Sequence, residues 1–254
     1  MSIVIAIANQ KGGVGKTNVT FNISGALAEK NKKILLIDLD QQGNLSSTFL
    51  DNIYNLKTTV ADILLDNDIS VSEVIQKTSF QNIDIIPSNI DLSKIDFQLA
   101  GEPDAQYFLA DKLKEIRDNY DYVIIDCPPS LGLATRIGLV AAEEVIIPME
   151  CQEWAVKGTV YLRAAITKIK RRANPKLKIM GYLINKFVGR RKLEEVWRDT
   201  ILESFKDKVF EVYLKNSVKY AETATLKKPI TTYLPSSKQA EAYRKLAKEI
   251  LDHG

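Results

Sequence analysis

The sequence predicts an α/β fold in which a mostly parallel, twisted sheet carries helices on both faces. Short apolar runs alternate with longer amphipathic segments along the 254 residues, as expected for strands joined by helices. The hydrophobic and charged fractions, 45% and 26%, are typical of a globular protein. A glycine-rich loop also follows the first apolar run directly. Because neither an internal repeat nor a Pro/Gly-rich linker interrupts this pattern, we expect residues 1–254 to form one domain.

Six short apolar runs are predicted to be strands because a strand buried on both faces needs apolar residues throughout. In chain order they are Ile3–Ala8, Lys33–Asp38, Ile83–Pro87, Tyr120–Asp126, Glu144–Met149 and Lys178–Ile184. Five longer segments with helical spacing of apolar residues are predicted to be helices. These are Lys16–Glu29, Ala105–Arg117, Trp154–Arg172, Leu193–Ser204 and Gln239–Leu251.

Residue usage excludes several classes of site. The chain has two cysteines, Cys127 and Cys151, and one histidine, His253, which argues against a disulfide framework, a Cys-rich zinc site or a His-based triad. The N-terminal apolar run has no basic leader, and no segment approaches the ~20 apolar residues of a membrane-spanning helix. We therefore expect a cytoplasmic protein.

The segment from Gln10 to Thr17, QKGGVGKT, has the features of a phosphate-binding loop. Its glycines can adopt positive φ and let backbone N–H groups converge on phosphate oxygens. We expect Lys16 to reach the β- and γ-phosphates of a nucleotide and the Thr17 hydroxyl to bind Mg²⁺. The usual pattern has glycine where this chain has Gln10, and a second lysine, Lys11, follows it.

Carboxylates at the ends of two predicted strands are candidates for the same site, since ligands bind at the carboxyl ends of parallel strands. Asp126 ends one strand just before two prolines, and we expect it to hold Mg²⁺, through water. Asp38 and Asp40 follow another strand, and either could orient the attacking water. The chemistry of the residues alone leaves that choice open.

Three segments resemble the ParA/MinD family of P-loop ATPases. Residues 11–17, KGGVGKT, are similar to its deviant Walker A motif. The segments IDLDQQGN and IIDCPPSLG resemble motifs of the ParA/Soj partition branch, and so does the C-terminal segment beginning NSVKYAE. The resemblance covers nearly the whole chain and implies a P-loop NTPase fold of the deviant Walker A type.

The resemblance also implies how the site works. Two subunits of the family close around two ATP molecules, and the extra lysine, here Lys11, completes the partner's site. The family's catalytic aspartate maps onto Asp40, although Gln41 stands where the family usually has proline. The implied catalytic residues are Lys11, Lys16 and Asp40, and the implied metal-binding residues are Thr17, Asp40 and Asp126. The nucleotide-binding set is Lys11, Gly12, Gly13, Val14, Gly15, Lys16, Thr17, Asn18, Asn185 and Pro235.

The preferred base follows from the segment LINKF. It is superficially similar to the guanine-binding NKxD motif, but Val188 stands where the aspartate should be. Without that carboxylate, the guanine donors lose their acceptor. We interpret Asn185 as an adenine contact, similar to an asparagine of MinD-like relatives, and expect backbone near Pro235 to close the other side. The alternative for Asn185 is a residue that caps a strand end.

A basic segment predicts binding to DNA. Between Trp154 and Leu193 the chain has 12 Lys/Arg and no Asp or Glu, whereas the segment from Asp38 to Asp126 has 17 acidic and 6 basic residues. Like charges at helical spacing repel, and a polyanion would offset that cost. We predict non-specific binding to duplex DNA through its phosphates. The candidate contacts are Lys186, Arg190, Arg191, Lys215 and Lys219, of which the last four also resemble positions that ParA/Soj proteins use for DNA.

These features favour an ATP-dependent, nucleoid-associated DNA-partition ATPase that forms a homodimer with ATP and is stimulated by a ParB-type partner. A MinD-like membrane-associated ATPase is the main alternative, but it needs a basic amphipathic C-terminal helix, and this chain ends in EILDHG. An electron-transfer protein resembling the nitrogenase iron protein would need suitably spaced cysteine ligands. A structural DNA coat without catalysis would not need Thr17, Asp40 and Asp126.

Overall fold

The computed structural model describes residues 2–66, 68–189 and 192–253. Within these residues, seven strands form one sheet. The strands are β1 (Ile3–Ile7), β2 (Ile34–Asp38), β3 (Gln76–Lys77), β4 (Ile83–Ile86), β5 (Tyr122–Asp126), β6 (Glu144–Met149) and β7 (Lys178–Ile184). Their order across the sheet is β3-β4-β2-β5-β1-β6-β7. All neighbouring pairs are parallel except β3 and β4.

Helices connect the strands. They are α1 (Lys16–Ala28), α2 (Asn44–Phe49), α3 (Val60–Leu65), α4 (Val71–Val74), α5 (Ile95–Gln98), α6 (Phe108–Leu113), α7 (Leu133–Ala141), α8 (Ala155–Gly158), α9 (Val160–Arg172), α10 (Lys192–Phe205), α11 (Lys219–Thr225), α12 (Ile230–Tyr233) and α13 (Lys238–His253). Short 3₁₀ turns lie at Ile53–Asn55, Ile90–Lys94, Ala105–Tyr107, Arg117–Asn119 and Lys206–Lys208. None of the helices among the described residues has the length and apolarity needed to cross a membrane.

The core has two layers, one on each face of the sheet. Successive strand residues alternate between them, so Val4 and Ala6 pack into one layer while Ile5 and Ile7 pack into the other. Helices α6, α7 and α9 contribute to the first layer, and α1 and α13 to the second. Burial on both faces explains the continuous apolar runs, and the predicted α/β fold class is confirmed.

The parallel register brings the functional ends of three strands together. Ile7 at the end of β1 pairs with Asp126 at the end of β5, and Asp126 pairs in turn with Asp38 at the end of β2. The loop between β1 and α1 therefore emerges beside two strand-end carboxylates. This edge of the sheet is where an open α/β fold binds its ligands.

The six predicted strands are present, with ends that differ by at most two residues. The predicted helix at Ala105–Arg117 is shorter, with a 3₁₀ turn followed by α6. The predicted helix at Trp154–Arg172 is split into α8 and α9 near Gly158 and Thr159. Glycine has low helix propensity and permits this break.

Candidate functional site

The glycine-rich loop has the backbone conformation that its sequence predicts. Gly13 and Gly15 have φ of 76° and 89°, in a region that favours glycine. Gly15 also has no room for a side chain, since an added Cβ would lie 2.4 Å from the Asn185 Nδ2 atom. Helix α1 begins at Lys16, directly after the loop. Its unpaired N–H groups and dipole favour an anion at this end.

The loop borders a cavity of about 640 Å³. Glycines 12, 13 and 15 line one side with Lys16 and Thr17, and the segment from Asn216 to Ala224 contributes the opposite wall. Asp40, Asn44, Pro129 and Asn185 also reach the cavity. The cavity is large enough for a small-molecule ligand, and its lining combines the loop glycines with two lysines, Lys16 and Lys186, and the carboxylate of Asp40.

Lys16 lies at the base of this cavity and is only 7% exposed. Burial lowers the pKa of its ammonium, while the charge of Asp126 opposes that shift. A buried cation of this kind is costly on its own and is stabilised by an anion brought into the cavity. The position of Lys16 is therefore suited to binding phosphate.

Thr17 and Asp126 bring two oxygen atoms together that could bind a metal ion. The Thr17 hydroxyl donates to Asp126 Oδ2 at 2.7 Å, and the Thr20 hydroxyl lies 3.4 Å from Oδ1. Burial raises the pKa of Asp126 well above its usual range, and the nearby charge of Asp38 raises it further. Hydroxyl and carboxylate oxygens are the ligands Mg²⁺ prefers, and a cation here would offset the buried negative charge. The residues present therefore fit a bound Mg²⁺.

Asp38 and Asp40 have different surroundings. Asp38 is fully buried and accepts hydrogen bonds from the Ser46 N–H and hydroxyl at 2.9 and 2.8 Å and from the Asp40 N–H at 3.0 Å. Asp40 is partly exposed, lines the cavity and accepts from the Gln42 N–H at 3.0 Å. Only Asp40 lines the cavity that Lys16 and Thr17 border. Asp38 instead fixes the turn after β2.

The side chain of Lys11 extends toward the residues that follow β6. Its ammonium contacts the Gln152 Oε1 atom and lies 3.7 Å from Glu150 Oε2, and its side chain is 50% exposed. Gln152 in turn donates to Glu150 at 2.5 Å. Within one chain, Lys11 therefore contacts side chains that follow β6, whereas Lys16 lines the cavity. Its predicted role in a partner's site stays a prediction.

Asn185 and Lys186 both contact the phosphate loop. Asn185 Nδ2 donates to the Val14 carbonyl at 2.7 Å, and the Lys186 ammonium donates to the Gly13 carbonyl. Asn185 is 4% exposed and lines the cavity, so it is near any ligand there. Its contact with adenine stays a prediction. Lys186 also lines this cavity, and its predicted contact with DNA stays a prediction.

Two further predicted nucleotide residues lie in different surroundings. Asn18 lines the cavity and donates to the Tyr220 carbonyl at 3.2 Å, which joins α1 to α11. Pro235 is exposed and does not line the cavity, and its carbonyl accepts from Arg244 at 2.6 Å. The wall expected near Pro235 is built instead by residues 216–224. The segment NSVKYAE lies within this wall and is recognised by its family resemblance, but its place beside the loop depends on contacts between residues far apart in sequence.

The predicted DNA contacts that the structure describes lie on neighbouring segments, since Phe187, directly after Lys186, pairs with Lys215. Lys215 is exposed just before the cavity segment, and the Lys219 ammonium lies 3.8 Å from Glu222 in the first turn of α11. Arg190 and Arg191 lie outside the described residues. Helix α9 carries an exposed basic set formed by Arg163, Lys168, Lys170, Arg171 and Arg172.

Comparisons with known proteins agree with this geometry. Residues 2–179 match a family model described as an AAA domain. The chain is 37% identical over 254 residues, 100% of both chains, to the sporulation initiation inhibitor protein Soj of Bacillus subtilis. The chain belongs to the ParA/Soj family of P-loop ATPases.

The chain is also similar to two other proteins, which carry different descriptions. An uncharacterized protein of Mycobacterium tuberculosis is 41% identical over 249 residues, which are 98% of this chain and 78% of that protein. The Mycobacterium smegmatis structure described as cobyrinic acid a,c-diamide synthase with bound ADP and magnesium has a TM-score of 0.87 and 32% identity. That match covers 100% of this chain and 95% of the other.

Proposed function

We propose that this chain is an ATP-dependent DNA-partition ATPase. The observation that carries the proposal is the convergence of Lys16, Thr17, Asp40 and the phosphate loop on one cavity, with Asp126 bonded to Thr17. The solved structures of the Mycobacterium smegmatis relative with ADP or an ATP analog and magnesium support ATP and Mg²⁺ as the cofactors. Hydrolysis of ATP to ADP and phosphate is the reaction proposed.

Each residue has a role that its surroundings support. The loop N–H groups and the Lys16 ammonium bind the β- and γ-phosphates, while Thr17 and Asp126 hold Mg²⁺. The bound ion neutralises charge on those phosphates. Asp40 orients the attacking water, and Lys11 of a second copy adds positive charge as negative charge builds on the γ-phosphate. Because a carboxylate is a weak general base, turnover of the chain alone is slow.

ATP controls the binding of DNA in this proposal. Two ATP-loaded copies form a homodimer, and the dimer binds duplex DNA without sequence preference through exposed basic side chains. The exposed basic set of α9, with Lys215 and Lys219, supports an electrostatic contact with phosphates. Hydrolysis, stimulated by a ParB-type partner, releases the protein from DNA. The protein is then cytoplasmic and nucleoid-associated.

A DNA-retention experiment tests the proposal. The protein is incubated with unrelated duplexes and Mg²⁺ in the presence of ATP, ADP or no nucleotide over a series of salt concentrations. We expect retention only with ATP, equal retention of unrelated sequences and a steep loss with salt, since phosphate contacts release counterions. Retention that is independent of nucleotide, or ATP-dependent binding to anionic vesicles in place of DNA, would contradict it. The second result would favour the MinD-like alternative.

A further inference from the structure

Two neighbouring residues hold two consecutive carbonyls of the phosphate loop. The Lys186 ammonium donates to the Gly13 carbonyl, and Asn185 Nδ2 donates to the Val14 carbonyl at 2.7 Å. Residues 185 and 186 directly follow β7, while residues 13 and 14 lie between β1 and α1. The contacts therefore join the loop to a different part of the sheet.

Fixing a carbonyl also fixes the N–H group of the same peptide unit. A trans peptide is planar, so its C=O and N–H point in opposite directions. Holding the Gly13 and Val14 carbonyls on the side of Asn185 and Lys186 turns the N–H groups of Val14 and Gly15 to the other side. Glycine is otherwise free to rotate these peptides, and ordering them on binding would cost conformational entropy. The hydrogen bonds from Lys186 and Asn185 fix part of the loop conformation before a ligand binds.

Lys186 is itself held in place by its surroundings. Its ammonium lies 3.1 Å from Glu150 Oε1, and its N–H donates to Asn185 Oδ1 at 2.9 Å. The residue has φ of 55°, a conformation that non-glycine residues rarely adopt. Backbone hydrogen bonds just after it, from Phe187 N–H to the Leu214 carbonyl and from Asn216 N–H to the Phe187 carbonyl, keep the chain in this path. Strained conformations of this kind persist where the surrounding structure imposes them, often at functional sites.

We propose that Lys186 is a positioning residue of the nucleotide site, which orients the phosphate loop, and that it is not a DNA contact. This inference rests on the proposed function, because it takes the ligand to be a nucleoside triphosphate. The inference also gives the Lys186 ammonium a specific role. Lys186 acts on the phosphate end of the nucleotide through the Gly13 carbonyl.

Nucleotide binding without DNA tests this assignment. Lys186→Met keeps the apolar stem but removes the donor, and Lys186→Arg keeps a charged donor. Lys170→Met, on exposed α9, is the matched control. Affinities for ATP, ADP and adenosine are measured by calorimetry with Mg²⁺. For Lys186→Met we expect ATP and ADP affinity to fall about tenfold, as for loss of a charge-assisted hydrogen bond, with adenosine affinity within about twofold. Lys186→Arg should recover most of the ATP affinity, and Lys170→Met should bind ATP like the original chain.

Several results would overturn the assignment. Unchanged ATP affinity in Lys186→Met would refute it, and so would an equal loss for ATP and adenosine, which indicates a base contact. Lower DNA retention by Lys186→Met at saturating ATP would restore the DNA assignment. Should Lys186→Met fail to fold, as judged by circular dichroism, Lys186→Leu provides the same comparison, because it also lacks a donor. Failure of the original chain to retain DNA would contradict the partition proposal. The nucleotide affinities would remain interpretable, because they are measured without DNA.

Discussion

Asp38 is the last residue of β2 and Asp40 follows two residues later, but the two carboxylates have different surroundings. Asp38 is enclosed and its oxygens already accept hydrogen bonds from Ser46 and from the Asp40 N–H. Asp40 reaches the cavity that holds Lys16 and Thr17. A group that orients water must be within reach of the reacting phosphate. On this basis we assign catalysis to Asp40 and a structural role to Asp38.

Matched substitutions test this division. Asp40→Asn should lower the ATP hydrolysis rate by at least about 100-fold, because an amide cannot accept a proton from water. ATP binding should persist, since the phosphate loop is unchanged. Asp38→Asn keeps an oxygen that can accept from Ser46, so its rate should fall less than about tenfold. Phosphate release and ATP binding are measured side by side; a fast Asp40→Asn variant or a dead but folded Asp38→Asn variant would reverse the assignment.

Burial of Asp38 predicts a dependence of stability on pH. Burial raises its pKa from 3.8 in an ordinary environment to about 6 in the folded protein, while hydrogen bonds from Ser46 and Asp40 partly oppose the rise. Below about pH 3 the group is protonated in both the folded and unfolded states, and above about pH 7 the folded state bears a buried charge. Its contribution to stability therefore falls as the pH rises between these values.

Asp38→Asn removes that titration. The free energy of unfolding of the variant minus that of the original chain should rise by about 2.5 kcal/mol between pH 4 and pH 7.5. Urea unfolding without Mg²⁺ or nucleotide, at several pH values, measures the difference. A difference that is constant with pH, or that falls as the pH rises, would show that Asp38 does not carry this cost.

At the level of single residues, the sequence predicted the loop better than its surroundings. Residues 12–17 are adjacent in the chain, and their glycine pattern specifies a local conformation that the structure contains. The contact between Lys186 and Gly13 joins residues far apart in sequence. In the sequence, Lys186 is one basic residue of a segment without acids, and although it lies in the segment LINKF, that motif is interpreted only for the contact of Asn185 with the base. Lys186 reaches the loop only because β7 lies beside β6, which in turn lies beside β1.

Among the elements, long apolar or strongly periodic segments were predictable and short ones were not. The strands β1, β2, β4, β5, β6 and β7 are continuous apolar runs. Strand β3 has only two residues, Gln76 and Lys77, and pairs antiparallel at the sheet edge. Helix α7 follows Gly132 and contains Gly138, so its sequence has weak helical signals. It forms because Leu133, Ile137 and Val140 are buried in the core, a gain that depends on tertiary packing.

The contact between α1 and the segment before α12 predicts the effect of one methyl group. Gly25 lies in α1, where an added Cβ would be 2.5 Å from Pro229 Cβ. The rigid proline cannot move aside easily, so Gly25→Ala should destabilise the fold by about 1–2 kcal/mol, even though alanine favours a helix. Gly158→Ala in α8, where a Cβ meets no atom within 4 Å, is the control and should be neutral or stabilising. Urea midpoints measure both, and equal or higher stability of Gly25→Ala would contradict the expected clash.

Across the whole molecule, charge is separated along the sheet. The acidic segment from Asp38 to Asp126 contains β3, β4 and β5, and the basic segment from Trp154 to Leu193 contains α9 and β7. Strands β3 and β7 are the opposite edges of the sheet. A small net charge of +3 thus hides one basic edge, which suits an interaction with a polyanion. A dimer would double the number of such edges and increase the avidity for DNA, provided that both can engage one duplex.

ATP-dependent dimerisation is the prediction on which this switch depends. In Asp40→Asn, slow hydrolysis should preserve bound ATP, and sedimentation with ATP and Mg²⁺ should give twice the mass of the chain, while ADP gives a single chain. Adding Lys11→Ala should abolish the doubled mass and the retention of DNA, because the Lys11 ammonium supplies charge to the other copy's phosphates. Lys30→Ala, an exposed lysine just beyond α1, is the matched control and should dimerise normally. If Asp40→Asn binds ATP but sediments as one chain at high concentration, Lys11 has no partner site to complete, and the exposed basic residues bind DNA without control by nucleotide.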